Sequence, residues 1–230
     1  RICEGEMPDS LPKGYSWRAA TTDDLPEILK VLREEFIKEE TLNAAIGTTP
    51  EGVADVHRWL VGEFMRFRYN VLIFEEDTRE LVGLRLMSEW HRHEEETNND
   101  EKSAPVISDP KTKLLLALLE NLHSRFWNLM PSDVDKVVSL EVSYIRPAHQ
   151  RLGLGRAMTK GMLDMKLKEA GYSGIVVGVS SLPNQRLLSS EGFSVVDEVA
   201  INDFVHLFGL APVVFPVGAA PTIQLMYKEF

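Results

Sequence analysis

The stretch HQRLGLGRAM, His149 to Met158, sets Gly153 and Gly155 either side of one leucine, directly after an apolar run. Glycines so placed let a backbone come close to a ligand. At the start of a helix that ligand is commonly phosphate, because the first N–H groups there have no partner within the helix. Three phosphate-gripping designs compete. A P-loop closes on Gly-Lys-Ser/Thr, so that a lysine and a hydroxyl reach the terminal phosphates and magnesium; here Gly155 is followed by Arg156 and Ala157, which excludes it. A dinucleotide fingerprint needs a third glycine where its helix packs on the strand, and Met158 fills that place. The design that remains is Gln/Arg-x-x-Gly-x-Gly/Ala between a strand and a helix. Gln150, Gly153 and Gly155 satisfy it, with Pro147 three residues earlier, and its N–H groups face a pyrophosphate.

Two carboxylates stand where chemistry could use them. Glu141 lies inside DKVVSLEVSYI, whose alternation puts Ser139, Glu141 and Ser143 on one face and Val138, Leu140 and Val142 on the other. A charge in a central strand needs a partner or water. Glu40 lies in KEETLN, where a helical apolar pattern breaks; an acidic residue at a helix end is by itself an ordinary solvated position. HRHEEE, from His91, has two histidines two apart in an acidic loop with no third ligand indicated, so a solvated loop or lid fits it better than a metal site. No metal is expected. The single cysteine, Cys3, excludes an intrachain disulfide framework and points to a reducing, cytoplasmic setting.

The elements that must position these residues follow from periodicity. After a leader over residues 1–14, YSWRAA predicts a short strand, and Leu25, Ile28, Leu29, Leu32 and Phe36 recur at helical spacing. That helix opens at TTDDLPE, where Thr22 or Asp24 can cap and Pro26 fits the first turn. Lys38 to Gly52 reads as a loop or broken helix, Pro50 to Phe67 as a second helix, and NVLIFEEDTRELVGLRLMSEW as a hairpin. His91 to Ser108 is polar loop, and Pro110 to Asn128 is a helix apolar all round. A long central strand ends at Arg146-Pro147; a helix runs from about Leu154 to Ala170, stopped by Gly171; and GIVVGVS is a buried strand. Pro183 to Glu191 forms a short helix, with FSVVDEVAI and TIQLMYKE as the last strands. Strand, helix and strand across residues 136–180 imply a parallel pair with a right-handed crossover. Most of Trp59, Phe64, Phe67, Phe126 and Trp127 fall at core spacing.

The 230 residues, 44% hydrophobic, suit one domain over residues 15–230. Twenty-five Lys and Arg against thirty-five Asp and Glu leave a formal charge of -10, which disfavours nucleic acid and anionic membrane and suits a small cation. LLLALL and FGLAPVVFPVGAA are both too short for a membrane span. The chain starts at Arg1 rather than Met, so the absence of a targeting segment says little. A monomer or weak dimer is expected.

With its glycine turn and the later RLLSSEGF, Arg186 to Phe193, the chain resembles the GCN5-related N-acetyltransferases. Segments between Trp17 and Lys228 are similar to the invertebrate arylalkylamine N-acetyltransferases in particular. They are FIKEETLN, SDPKTKLLLALLENL, VSSLPNQRLLSSEGF and FPVGAAPTIQLMYKE; His91 to Ser103 shows no useful likeness. The resemblance implies an α/β fold, a mixed, mostly antiparallel twisted sheet of six to seven strands flanked by helices. Its parallel pair is splayed at an acetyl-coenzyme A site. It implies an acyltransferase that moves an acetyl group to a small primary amine of the dopamine, serotonin, tryptamine or tyramine type. A polyamine, amino acid or protein lysine stays open as acceptor, as does an acyl-CoA-binding module without turnover.

A primary alkyl amine has a pKa near ~10 and must lose a proton before it attacks a thioester. The resemblance implies Glu40 as the base; Glu141 is the rival, because counted back from Gln150 it occupies a position where vertebrate serotonin N-acetyltransferases look to have a base histidine. Ser180 matches the first of two active-site serines, but the second is Asn184 here, and no tyrosine stands near Leu188 to protonate the thiolate. Tyr144 and Tyr172 are donors on position alone. The resemblance assigns Ser143, Tyr144 and Ile145 to the pantetheine arm, with Asn184 able to bond the arm or its thiol. It assigns Gln150, Arg151, Leu152, Gly153, Leu154, Gly155, Arg156 and Ala157 to the pyrophosphate. With Cys3 the single cysteine, near the N-terminus, and none available to carry the acetyl group, direct transfer is expected.

Overall fold

The computed structural model describes residues 11–93, 104–163 and 165–230. Seven strands form one sheet: β1 (Tyr15–Ala19), β2 (Val71–Glu75), β3 (Leu81–His91), β4 (Lys136–Ile145), β5 (Gly174–Ser181), β6 (Ser194–Ala200) and β7 (Ala219–Glu229). Their order is β1-β2-β3-β4-β5-β7-β6, and every neighbouring pair is antiparallel except β4 and β5. The expected fold is therefore present, including the parallel pair joined through a helix. The strand that follows that pair in sequence sits at the edge, because β7 inserts between β5 and β6.

Helices cover both faces. Against one lies α6 (Leu154–Leu163), whose Leu154, Met158 and Met162 pack with Val138, Ile175, Val177 and Met226. Against the other lies α5 (Pro110–Leu129), whose Leu114, Leu118, Leu122 and Phe126 meet Val176, Ile223 and Leu225. On that face, over β2 and β3, α1 (Leu25–Val31) and α4 (Pro50–Phe64) pack through Ile28, Val31 and Val61 onto Leu72, Leu84 and Leu86. Thr21 and Asp24 form the opening capping box, and Arg18 holds Asp24 through two hydrogen bonds, pulling its carboxyl down to about 2. No helix among the described residues is long and apolar enough to cross a membrane.

Several elements depart from their periodicity. The first helix widens into a π turn over Leu32–Phe36, which the apolar spacing does not signal, and continues as α2 (Ile37–Glu39); it then breaks at Glu40 and resumes as α3 (Thr41–Ile46), in line with the broken helix expected from Lys38. The helix expected to reach Phe67 ends at Phe64. The helix expected to reach Ala170 ends at Leu163. Met165 and Leu167 are both buried in the core under α6, and two residues apart in a helix would point them to different sides; irregular turns satisfy both. Gly171 still takes a left-handed φ of 86°, closing those turns. The short helix expected over Pro183 to Glu191 is α7 (Leu182–Ser190), shifted by one residue, whereas α8 (Asn202–Val205) is not signalled by the sequence. The polar loop after His91 falls mostly on residues 94–103, outside the described residues.

The alternation along β4 is broken by a bulge. Leu86 pairs with Val142 and Met87 with Leu140, so Glu141 is an extra residue with no partner across. Ser139, Glu141 and Ser143 consequently do not share a face. Ser139 and Glu141 lie on the α5 side, and past the bulge Val142 and Tyr144 take that side while Ser143 and Ile145 turn to the α6 side. At the same level β2 has not yet begun, and Asn70 takes its place: its Oδ1 accepts from Met87 N at 2.6 Å while Nδ2 donates to Phe64 O and Phe67 O. Asn70 is 1% exposed, so removing the amide takes the side-chain partner from Met87 N and Phe67 O, while Phe64 O keeps its bond from Phe67 N. Asn70→Ala is expected to lower unfolding free energy by about 3 kcal/mol, read from the urea midpoint at unchanged slope.

Candidate active site

Parallel pairing of β4 with β5 covers only Val138 to Leu140 against Ile175 to Val177. From the bulge onward the two strands separate. Arg146 N donates to Val82 O, and with Gly83 opposite Ile145 this makes Tyr144 and Val142 the residues whose main chain points at β3. Ser143 and Ile145 point theirs the other way, into the gap left by β5. Ser143 is exposed, and Ile145 O accepts from the Gln150 side chain at 2.9 Å. The gap leads from the bulge to the glycine turn.

That turn is built as a cradle of N–H groups. From Arg151 to Arg156 no main-chain N–H has a partner among the described residues; the first helical bond runs from Ala157 N to Gly153 O. Gly153 has a φ of 90°, and Arg151 holds a left-handed φ of 62°, which costs a non-glycine residue about 1 kcal/mol or more. A Cβ at Gly155 would meet only Leu187 Cδ2, at 3.9 Å, so the cradle stays open. Leu154 is buried as the anchor of α6, Leu152 is half exposed, and Arg156 lies 3.7 Å from Glu191. Tyr15 from β1 bonds His149 at 2.9 Å and ties the turn to the sheet's edge.

Glu40 caps α3. Its carboxylate accepts from Leu42 N, Asn43 N and Asn43 Nδ2 at 2.8–2.9 Å, and from Ser180 Oγ at 2.7 Å. Because Ser180 donates to Glu40, the 3.0 Å contact between Thr41 and Ser180 runs from the threonine hydroxyl. Glu40 is thus joined to the C-terminal end of β5 by a hydroxyl relay, and the helix break that exposes it is the same break it caps.

Glu141 is held differently. Ser88 Oγ at 2.6 Å and Trp90 Nε1 at 3.3 Å both donate to its Oε1, and Oε2 has no partner among the described residues. Trp90 in turn stacks on His123 of α5, ring centroids 4.1 Å apart at 35°. The sequence does not single out these two aromatics. The alternation of Ser88 and Trp90 on β3 is their one signal, and it points to Glu141 only once the register of β3 with β4 is known.

The tyrosines are occupied elsewhere. Tyr144 packs against α1 with its hydroxyl toward Glu35, and burial, aided by Glu35 and Glu39, pushes it up to about 12. Tyr172 precedes β5 at the end away from Ser180 and donates to Glu89 at 2.7 Å; burial and that bond raise it strongly. Glu35, presented by the π turn, also takes two 2.8 Å bonds from Arg146, clamping the α1 segment to the strand end that precedes the glycine turn. Asn184 sits in the first turn of α7, which Ser181 caps, so its own amide is free of that duty. No group of three or more His, Cys, Asp or Glu able to hold a metal occurs among the described residues.

No family model matches the chain, and no curated protein sequence matches it. Solved structures do. Arylalkylamine N-acetyltransferase 2 from Aedes aegypti aligns at a TM-score of 0.75 and 17% identity, over 94% of this chain and 99% of that one. Mosquito arylalkylamine N-acetyltransferase like 5b gives 0.73 and 17%, over 94% and 100%. A Drosophila melanogaster polyamine N-acetyltransferase, which catalyses formation of N-acetylagmatine, gives 0.72 and 17%, over 94% and 100%. At these identities the shared property is the fold.

The two carboxylates differ in what their removal costs the fold. Glu40→Ala takes a helix cap and the Ser180 anchor together and is expected to lower stability by about 1–2 kcal/mol in denaturant titration. Glu141→Gln keeps an oxygen for Ser88 and Trp90 and is expected to change it by less than about 0.5 kcal/mol.

Proposed function

We propose that this chain, which has the fold of the GCN5-related N-acetyltransferases, moves an acetyl group from acetyl-coenzyme A to a small primary amine of the arylalkylamine type. The observation that carries this is the opening between β4 and β5. Its wall offers the main-chain groups of Ser143 and Ile145, and it leads to six consecutive N–H groups at the start of α6 that have no partner among the described residues. A linear thioester bearing amides along its arm and a pyrophosphate at its end matches both features. Ser143 and Ile145 pair with the arm, and Asn184 meets it from the β5 side. Arg151 to Arg156 hold the pyrophosphate, where Arg151 and Arg156 add positive charge.

The acceptor arrives as an ammonium ion and must give up a proton. Glu141, whose Oε2 has no partner among the described residues, takes that role directly or through water, while Ser88 and Trp90 fix its orientation. Glu40, fully engaged in capping, supports the site through Ser180, holding the hydroxyl at the strand end where the reacting groups meet. Attack by the free amine on the thioester carbonyl is then direct: the C–N bond forms, the C–S bond breaks, and the thiolate of coenzyme A leaves, taking up the second proton that the nitrogen loses as the amide forms.

Thiol release from acetyl-coenzyme A, followed across tyramine, tryptamine, spermidine and a lysine peptide, tests the assignment. The aryl amines are expected to show the highest kcat/KM. Glu141→Gln is expected to lower it on the order of a hundredfold or more, with coenzyme binding intact. Glu40→Gln should cost less, since Gln keeps the Ser180 bond. Coenzyme binding with no thiol release for any amine would overturn the transferase assignment in favour of a binding module.

A further inference from the structure

β5 is a central strand, and from Gly174 to Ser180 every residue is buried except Gly178, which is exposed. Glycine weakens a strand, so a central one calls for a reason. At Gly83 and Gly174 the reason is crowding: a Cβ would collide with Ile145 Cδ1 at the first and with Lys228 O at the second. At Gly178 there is no such reason. Its φ is not positive, and a Cβ would find only ordinary contacts, Leu122 Cδ1 at 3.7 Å and Ile223 Cγ2 at 3.8 Å. The position is reached by solvent and bordered by Leu122 and Ile223.

That position belongs to the face of the sheet turned toward α3 and α5. Ser180, two residues on, lies on this face and reaches Glu40. Leu140 and Val177 are the last parallel pair, so Glu141 and Gly178 are next in register, on the two strands as they part. Leu122, the side chain nearest the vacant position, precedes the His123 that stacks on Trp90, and Trp90 is bonded to Glu141.

Resting on the acetyltransferase assignment above, we propose that Gly178 is a specificity-determining residue. As the bare floor of the acceptor pocket, it leaves room for the ring of an aromatic amine between β5 and α5, while the amine nitrogen lies at Glu141. A slender aliphatic amine needs no such room.

Gly178→Leu fills the space with a side chain that strands accept, and Gly178→Ala is the milder control. The leucine variant is expected to keep its melting temperature, to raise KM for tryptamine about tenfold or more, and to keep kcat and KM for a slender amine such as propylamine within about twofold. The alanine variant should fall between. Loss shared equally by all amines in a folded variant, or an unchanged preference, overturns the proposal. Calorimetric titration of phenethylamine, with and without coenzyme A, reads the pocket without turnover. A wild-type protein that binds phenethylamine more tightly than Gly178→Leu but releases no thiol sinks the transferase assignment and keeps the pocket. Equal binding by both, or none by the wild type, sinks the pocket.

Discussion

One inserted residue governs the middle of this molecule. Glu141 has no partner on β3, and the bulge it makes shifts the remainder of β4 by one place. Parallel strands hold together through slanted, evenly spaced bonds that depend on matched geometry, and past the bulge β4 no longer offers it. Three residue pairs are all the parallel ladder retains. The same shift swings Ser143 and Ile145 so that their main-chain groups face the gap. It also leaves the charged side chain itself on the face where α3 and α5 stand.

Supports for this irregular segment come from side chains doing the work of main chain. Asn70 substitutes for an absent stretch of β2 beside Met87, and Glu40 substitutes for a turn of helix between α2 and α3. Arg146 and Glu35 bind the end of β4 to a π turn, whose extra residue is what turns Glu35 inward. The first two are local breaks in regular structure whose main-chain groups are met by one polar side chain, as buried polar groups require, and the third is an ion pair between side chains. The two carboxylates and the main-chain groups facing the gap thus sit on a frame held by a few fixed polar contacts.

Much of this frame can be read from residue order. Val and Ile runs mark the central strands, and the glycine turn announces itself through Gln150, Gly153 and Gly155 with no register information needed. What escapes are features set by partners distant in sequence. Strict alternation assigns Ser143 to the wrong face because a bulge is a relation between β4 and β3, invisible in either alone. The period of α1 runs smoothly through Phe36 because a π turn disturbs apolar spacing by only one residue. Helix α6 stops early because Met165 and Leu167 must share one core, which is also built from residues elsewhere in the chain such as Phe67 and Tyr172. Trp90 and His123 are unremarkable singly; only the folded sheet stacks them.

The short parallel ladder also divides the sheet mechanically. Four strands, β1 to β4, lie on one side of it and three, β5, β7 and β6, on the other, joined within the sheet by three residue pairs. Such a seam is where strain between the two halves concentrates, and it opens more readily than the long antiparallel ladders that flank it. An extended molecule lying in the gap and bonding Ser143 and Ile145 would act as a surrogate strand across that seam. Filling the gap and stiffening the whole sheet would then be one event, and the face that carries Glu141 is shaped only as firmly as the gap beside it is filled.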